Sequence, residues 1–129
     1  MRVYLAAPFV DYREAHRVRA ALADAGHSCT SSWIIQAIAL GGREELDERT
    51  ATTALAYNDA DVAGSQALLL LARAGAGGEC FAELRYAQTL ELPCVVLGRA
   101  ILSAWRPGTV RVATLEGALA ALGNIASRL

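Results

Sequence analysis

Between Ala67 and Leu97 the chain spells out a strand, a glycine-marked turn, a helix and a second strand. The apolar run Ala67–Leu71 is followed by Gly77-Gly78, by a helical stretch from Glu79 to Leu90, and, past Pro93, by Cys94–Leu97. Two buried runs of strand length joined through a helix pair as parallel neighbours, and a parallel sheet needs helices on both faces. The rest of the sequence repeats the alternation. Val3–Ala7 reads as a first strand. Asp11 then caps a helix in which Glu14 completes a capping-box-like pair, Val18, Ala21, Leu22 and Ala25 recur at helical spacing, and Gly26 is the stop. His27–Ser32 reads as strand two, Glu44–Gly64 as a helix, Thr109–Val112 as a fifth strand and Leu115–Leu129 as a closing helix. The expectation is a single α/β domain over residues 1–129: a Rossmann-like three-layer sandwich around a parallel sheet of about five strands.

Composition narrows what such a domain does. The chain has 129 residues, 54% of them hydrophobic, enough for a substantial core. Twelve basic and thirteen acidic residues are mixed along the sequence for a net charge of −1, so no footprint for duplex nucleic acid or an anionic membrane is present. Three cysteines, Cys29, Cys80 and Cys94, form no C-x-x-C pair, which argues against a disulfide framework or a zinc site and fits a reducing cytoplasm. Cys29 and Cys94 read as small buried hydrophobes in strands, and Cys80 as a thiol accessible near the candidate site. No signal-like segment opens the sequence and no apolar run has the length of a membrane span, so a soluble cytoplasmic protein is expected. No metal or cofactor is expected.

The glycine turn is the first candidate site. Gly77 and Gly78 allow close approach of a ligand to the backbone, and the helix start behind them offers unpaired N–H groups to an anion. Glu83 follows about one turn into that helix, beyond the C-terminal end of a buried strand, where open α/β sheets bind ligands. Taken alone, Glu83 reads more readily as a solvated helix residue, and Gly77-Gly78 as an ordinary loop. Phe9 and Trp33, each just past a strand, are candidates to stack on a nucleobase or to fill the core. The segment Ile34–Gly42 is apolar for a connection and suits either a lid or a subunit contact.

Four motifs in order give a sharper reading. Tyr4-Leu-Ala-Ala-Pro-Phe9, Ser32-Trp33-Ile34, Asp61-Val-x-x-Ser65 and Gly78-x-x-x-x-Glu83-Leu-x-Tyr86-Ala87 together resemble the nucleoside 2-deoxyribosyltransferase-like superfamily over Arg2 to Gly98. The resemblance implies a flavodoxin-like sandwich that exchanges or hydrolyses the N-glycosidic bond of a nucleoside or nucleoside 5′-monophosphate without a cofactor. It implies Glu83 as the nucleophile and Tyr4 as its orienting partner, although Tyr4 also reads as an ordinary buried strand residue. The superfamily's second acid aligns with Asn58, with Asp59 beside it and Asp61 one turn away. Gln66 stands where an acid is usual, and Arg85 where a glycine is usual, close to any phosphate or facing solvent. The resemblance also implies a homo-oligomer, with a dimer as its basic unit and sites completed by a neighbouring subunit. A non-catalytic nucleotide sensor with the same pocket and a flavodoxin-like interaction module are the alternatives.

Overall fold

A computed structural model describes residues 1–42, 48–72, 79–98 and 106–129. The strands are β1 (Arg2–Ala6), β2 (Ser28–Cys29), β3 (Ala67–Ala72), β4 (Cys94–Gly98) and β5 (Thr109–Val112). The helices are α1 (Tyr12–Asp24), α2 (Trp33–Ala39), α3 (Glu48–Ala63), α4 (Glu79–Thr89) and α5 (Leu115–Ala126), with a 3₁₀ turn at Phe9–Asp11. All strand pairs are parallel, in the order β2-β1-β3-β4-β5. This is a three-layer α/β sandwich. Val3, Leu5, Leu68, Leu69, Leu70, Val95 and Val96 are buried on the central strands. The apolar runs that mark these strands in the sequence are continuous because both faces of the sheet are covered. The order reverses between β1 and β3, so the crevice past their C-terminal ends is where this topology binds ligands. No helix among the described residues is long and apolar enough to cross a membrane.

Two elements differ from the sequence expectation. The segment Ile34–Leu40 is not a loop: it forms α2, which buries Trp33, Ile34 and Ala37 and exposes Ile35 and Ile38. Strand two covers only Ser28–Cys29 instead of His27–Ser32. The ladder nevertheless continues past it by other means. Thr30 N–H donates to the Val3 carbonyl at 2.9 Å, and the Ser31 hydroxyl both accepts from Leu5 N–H at 2.7 Å and donates to the Leu5 carbonyl at 2.9 Å. A side chain thus does the pairing that backbone would do in a longer strand.

The capping box at the start of α1 is also absent. Asp11 makes no side-chain cap bond, and Glu14 pairs with Arg17 at 2.6 Å on the exposed face. By contrast, Thr114 caps α5, accepting from Gly117 N–H at 3.0 Å. The beginning of the expected Glu44–Gly64 helix lies outside the described residues up to Glu48.

Helices α1, α2 and α4 end in the same hydrogen-bonded turn. His27 N–H reaches the Leu22 carbonyl at 2.9 Å, Gly42 N–H the Ala37 carbonyl at 2.9 Å, and Leu92 N–H the Ala87 carbonyl at 3.0 Å. Each turn needs one residue in the left-handed region. Gly26 and Gly41 supply it for α1 and α2, but α4 uses Glu91 at φ 59°. A side chain in that conformation crowds its own backbone. Glu91→Gly is therefore expected to stabilise the protein by about 0.5–1 kcal/mol. Chemical denaturation measures the change, and a destabilised variant would contradict the account.

Candidate active site

Two side chains from different elements meet beneath the crevice. Tyr4, paired with Leu68 in the middle of β1, is fully buried, and Glu83 on α4 is only 7% exposed. Helix α4 packs on β1 and β3 and against α3, which turns Glu83 toward the sheet. The Tyr4 hydroxyl makes no hydrogen bond of standard geometry among the described residues. Burial raises its pKa far above the usual phenol range, and the Glu83 carboxylate raises it further through its charge and a looser hydrogen bond. The phenol stays protonated at any physiological pH, so toward Glu83 it acts as a donor.

Cys80, one turn before Glu83 on α4, is buried at 2% exposure rather than accessible. Burial pushes its thiol pKa up, the Glu83 charge adds to this, and Asp11 contributes in the same direction. Cys94 is likewise buried in β4, with its pKa pushed up to about 12 by desolvation. Both remain thiols and are poor nucleophiles. Cys29, in β2, is half-buried.

The other wall is built around the end of β1. The Leu5 carbonyl accepts from Trp33 Nε1 at 2.9 Å as well as from Ser31, so Trp33 is fixed at the head of α2 with 6% exposure. Phe9, half-buried in the 3₁₀ turn after β1, packs against it with ring centroids 6.3 Å apart and planes tilted by 38°. Trp33 therefore backs Phe9, and Phe9 is the more open of the two rings. Asp61 on α3 joins this wall from below. Its Oδ2 accepts from Ser32 N–H at 3.0 Å and from Ser32 Oγ at 2.5 Å, and its backbone carbonyl accepts from Thr30 Oγ1 at 3.1 Å. A carboxylate at the first turn of α2 also complements the helix dipole. Asp61 is close enough to Tyr4 for its charge to act on the phenol.

Among the other residues singled out in the sequence, Asn58 is half-buried on α3, one turn before Asp61. Arg85 is exposed. It follows Glu83 by two residues, about 200° around the helix, so the two side chains leave α4 in opposite directions. Gln66 lies at the N-terminal end of β3, where its Oε1 accepts from Arg2 N–H at 2.9 Å, on the far edge of the sheet from the crevice. Gly77 and Gly78 lie outside the described residues. Sequence reasoning missed Ser31, whose hydroxyl bonds both polar groups of Leu5, and the bond from Ser32 to Asp61. The run Thr30-Ser31-Ser32-Trp33 was a usable signal, because consecutive hydroxyls after a strand close ladders and helix starts. Among the described residues no group of three or more His, Cys, Asp and Glu side chains could hold a metal ion.

No family model and no curated protein matches the sequence. Among solved structures the chain is similar to the CMP N-glycosidase BcmB of Clostridium botulinum, with a TM-score of 0.57 at 12% identity over 96% of this chain and 99% of that one. The two chains share an α/β fold. At so low an identity the likeness concerns architecture. It nonetheless spans nearly the whole of both chains.

Proposed function

We propose that the protein cleaves the N-glycosidic bond of a nucleoside or nucleoside 5′-monophosphate through Glu83. The observation that carries this reading is the buried Tyr4–Glu83 pair under the β1/β3 switch point. Positive charge builds on the sugar as the C1′–N bond breaks, and a carboxylate below the ring can bond to C1′ or stabilise the cation. Tyr4 orients that carboxylate. Phe9, backed by Trp33, lies against the base, Asn58 hydrogen-bonds it, and Asp61 holds Ser32 and the head of α2 in place. The phosphate, where there is one, is assigned to the segment that carries Gly77 and Gly78, and Arg85 is exposed on α4, turned away from Glu83. The similarity to a CMP N-glycosidase supports a nucleotide as substrate. Water and a second base would reach the same glycosyl intermediate, so hydrolysis and transfer share this site.

Incubation with a panel of nucleosides and 5′-monophosphates, with free base followed by chromatography, tests the proposal. Base release supports it. Thermal stabilisation by an intact nucleotide with no base released would favour the sensor reading, which the amide at Asn58 recommends.

The same reading includes a homo-oligomer. Ile35 and Ile38, at 49% and 43% exposure, project from the outer face of α2, the helix whose first residue forms part of the base wall. Burying these side chains against a second copy would remove the apolar surface and brace the wall. Ile38→Glu is expected to reduce both the mass seen by light scattering and the rate of base release. A wild-type monomer at micromolar concentration with full turnover would defeat this part of the proposal.

A further inference from the structure

We propose that Ser32 selects the base by accepting a hydrogen bond from an exocyclic amino group, so that the substrate carries cytosine or adenine rather than uracil or hypoxanthine. This rests on the glycosidase reading above and names the substrate class of the same site. Asp61 decides how Ser32 is used. Its Oδ2 accepts from the Ser32 N–H at 3.0 Å and from the Ser32 hydroxyl at 2.5 Å. A hydroxyl has one proton and two lone pairs, so a hydroxyl that gives its proton to Asp61 has only acceptor capacity left. At 2.5 Å the bond is among the shortest that a hydroxyl makes, and a keto oxygen on a ligand does not compete for that proton. Nor is the oxygen spent on its own helix: Ser32 stands at the head of α2 with φ −68° and ψ −22° and makes no side-chain cap bond.

Three elements bring this hydroxyl to the base wall. The ladder along β1 runs from Cys29 opposite Val3 to Ser31 bonded to Leu5, which sets Ser32 beyond them, toward the C-terminal end of the strand. Trp33, the next residue, hangs from the Leu5 carbonyl and backs Phe9 with ring centroids 6.3 Å apart. On α3, Asn58 precedes Asp61 by three residues and shares its face, so the Ser32–Asp61 unit lies beside the amide assigned to the base. Ser32, Asp61, Asn58 and Phe9 are all half-buried, which leaves each of them open to a ligand.

Asn58 cannot set the choice of base by itself. An amide offers a donor and an acceptor and presents either one by turning over, whereas a hydroxyl locked as an acceptor has no such freedom. An amino group on the base donates to Ser32 Oγ. A keto oxygen in its place sets two acceptors against each other with no proton between them.

The test uses CMP with UMP and AMP with IMP, matched pairs that share sugar and phosphate and exchange an amino for a keto group. Dissociation constants are measured by calorimetry on Glu83→Gln, and kcat/KM by base release on the wild type. In both measurements the amino member is expected to be favoured by about 10–100-fold. Ser32→Ala, which keeps the backbone bond to Asp61, should bring the ratio within a pair below about 3-fold, and Ser32→Thr, which keeps a hydroxyl, should retain it. Asp61→Ala returns the proton to Ser32 and should collapse the ratio too, yet leave it unchanged where Ser32 is already alanine. A general loosening of the wall would weaken both members of a pair alike, and the bases' own leaving ability cancels between variants. The same ratio in Ser32→Ala as in the wild type, or a preference for the keto members, would overturn the assignment and leave the glycosidase reading standing. Amino-selective binding that Ser32→Ala abolishes, with no base released by the wild type, would support Ser32 and overturn the glycosidase reading. Neither binding nor release with any of the four or with the corresponding nucleosides would overturn both.

Discussion

Glu83→Gln is expected to lower base release by about 10⁴-fold or more, with the unfolding temperature close to that of the wild type. Glutamine keeps the shape of the side chain and can still accept from Tyr4, but it cannot neutralise a sugar cation or form the glycosyl ester. The effect should fall on kcat. Because Glu83 is buried, the variant also removes a charge held out of water, so its stability should not suffer. Near-wild-type turnover would end the assignment of the nucleophile, and nucleotide binding without turnover in this variant would support it.

The largest expected effect on stability lies elsewhere. Gly98, at the C-terminal end of β4, has φ 121°, and a Cβ placed there would lie 1.9 Å from the Ala72 carbonyl oxygen. The oxygen belongs to backbone and the Cβ is fixed to it by one bond, and Ala72 and Gly98 are register partners in the sheet, so neither residue can move without breaking the ladder. Gly98→Ala combines a forbidden conformation with a clash and should cost about 3 kcal/mol or more. Thermal unfolding should show a fall of about 10 °C or more. A fall of only a degree or two would mean that the β3–β4 edge yields easily.

Much of the fold was legible because its parts carry strong local signals. The runs Ala67–Leu71 and Cys94–Leu97 could only be buried strands, and the helix between them placed Glu83 beside the sheet. The segment now seen as α2 carried a weak signal. Helices are recognised by a polar outer face, and here that face bears Ile35 and Ile38, so apolar residues surround the axis and the periodicity disappears. Seven residues are also few for any period to show. Strand two was overestimated for the opposite reason: Thr30 and Ser31 do pair with β1, but Ser31 does so through its hydroxyl, which propensity cannot distinguish from backbone pairing.

The candidate site was legible where one element fixes one residue, and obscure where two elements converge. Tyr4 and Glu83 follow from the strand and the helix that carry them. Asp11 matched the pattern of a cap, with Glu14 at the right distance, and the local pattern gave no hint that Asp11 would leave α1 uncapped and Glu14 would turn to Arg17. The bonds from Ser32 to Asp61 reach across 29 residues of sequence, a separation over which local pattern carries no information.

The two hydrogen bonds on the Leu5 carbonyl have a consequence for how the site tolerates motion. Trp33 hangs from that carbonyl, while the side chain of the preceding residue, Tyr4, meets Glu83. The aromatic wall and the residue that meets Glu83 are therefore referenced to two consecutive residues of one central strand, Tyr4 and Leu5. When the sheet flexes, these two references travel together, because covalent geometry joins them. Such a strand works as a gauge block for the two helices that carry Trp33 and Glu83.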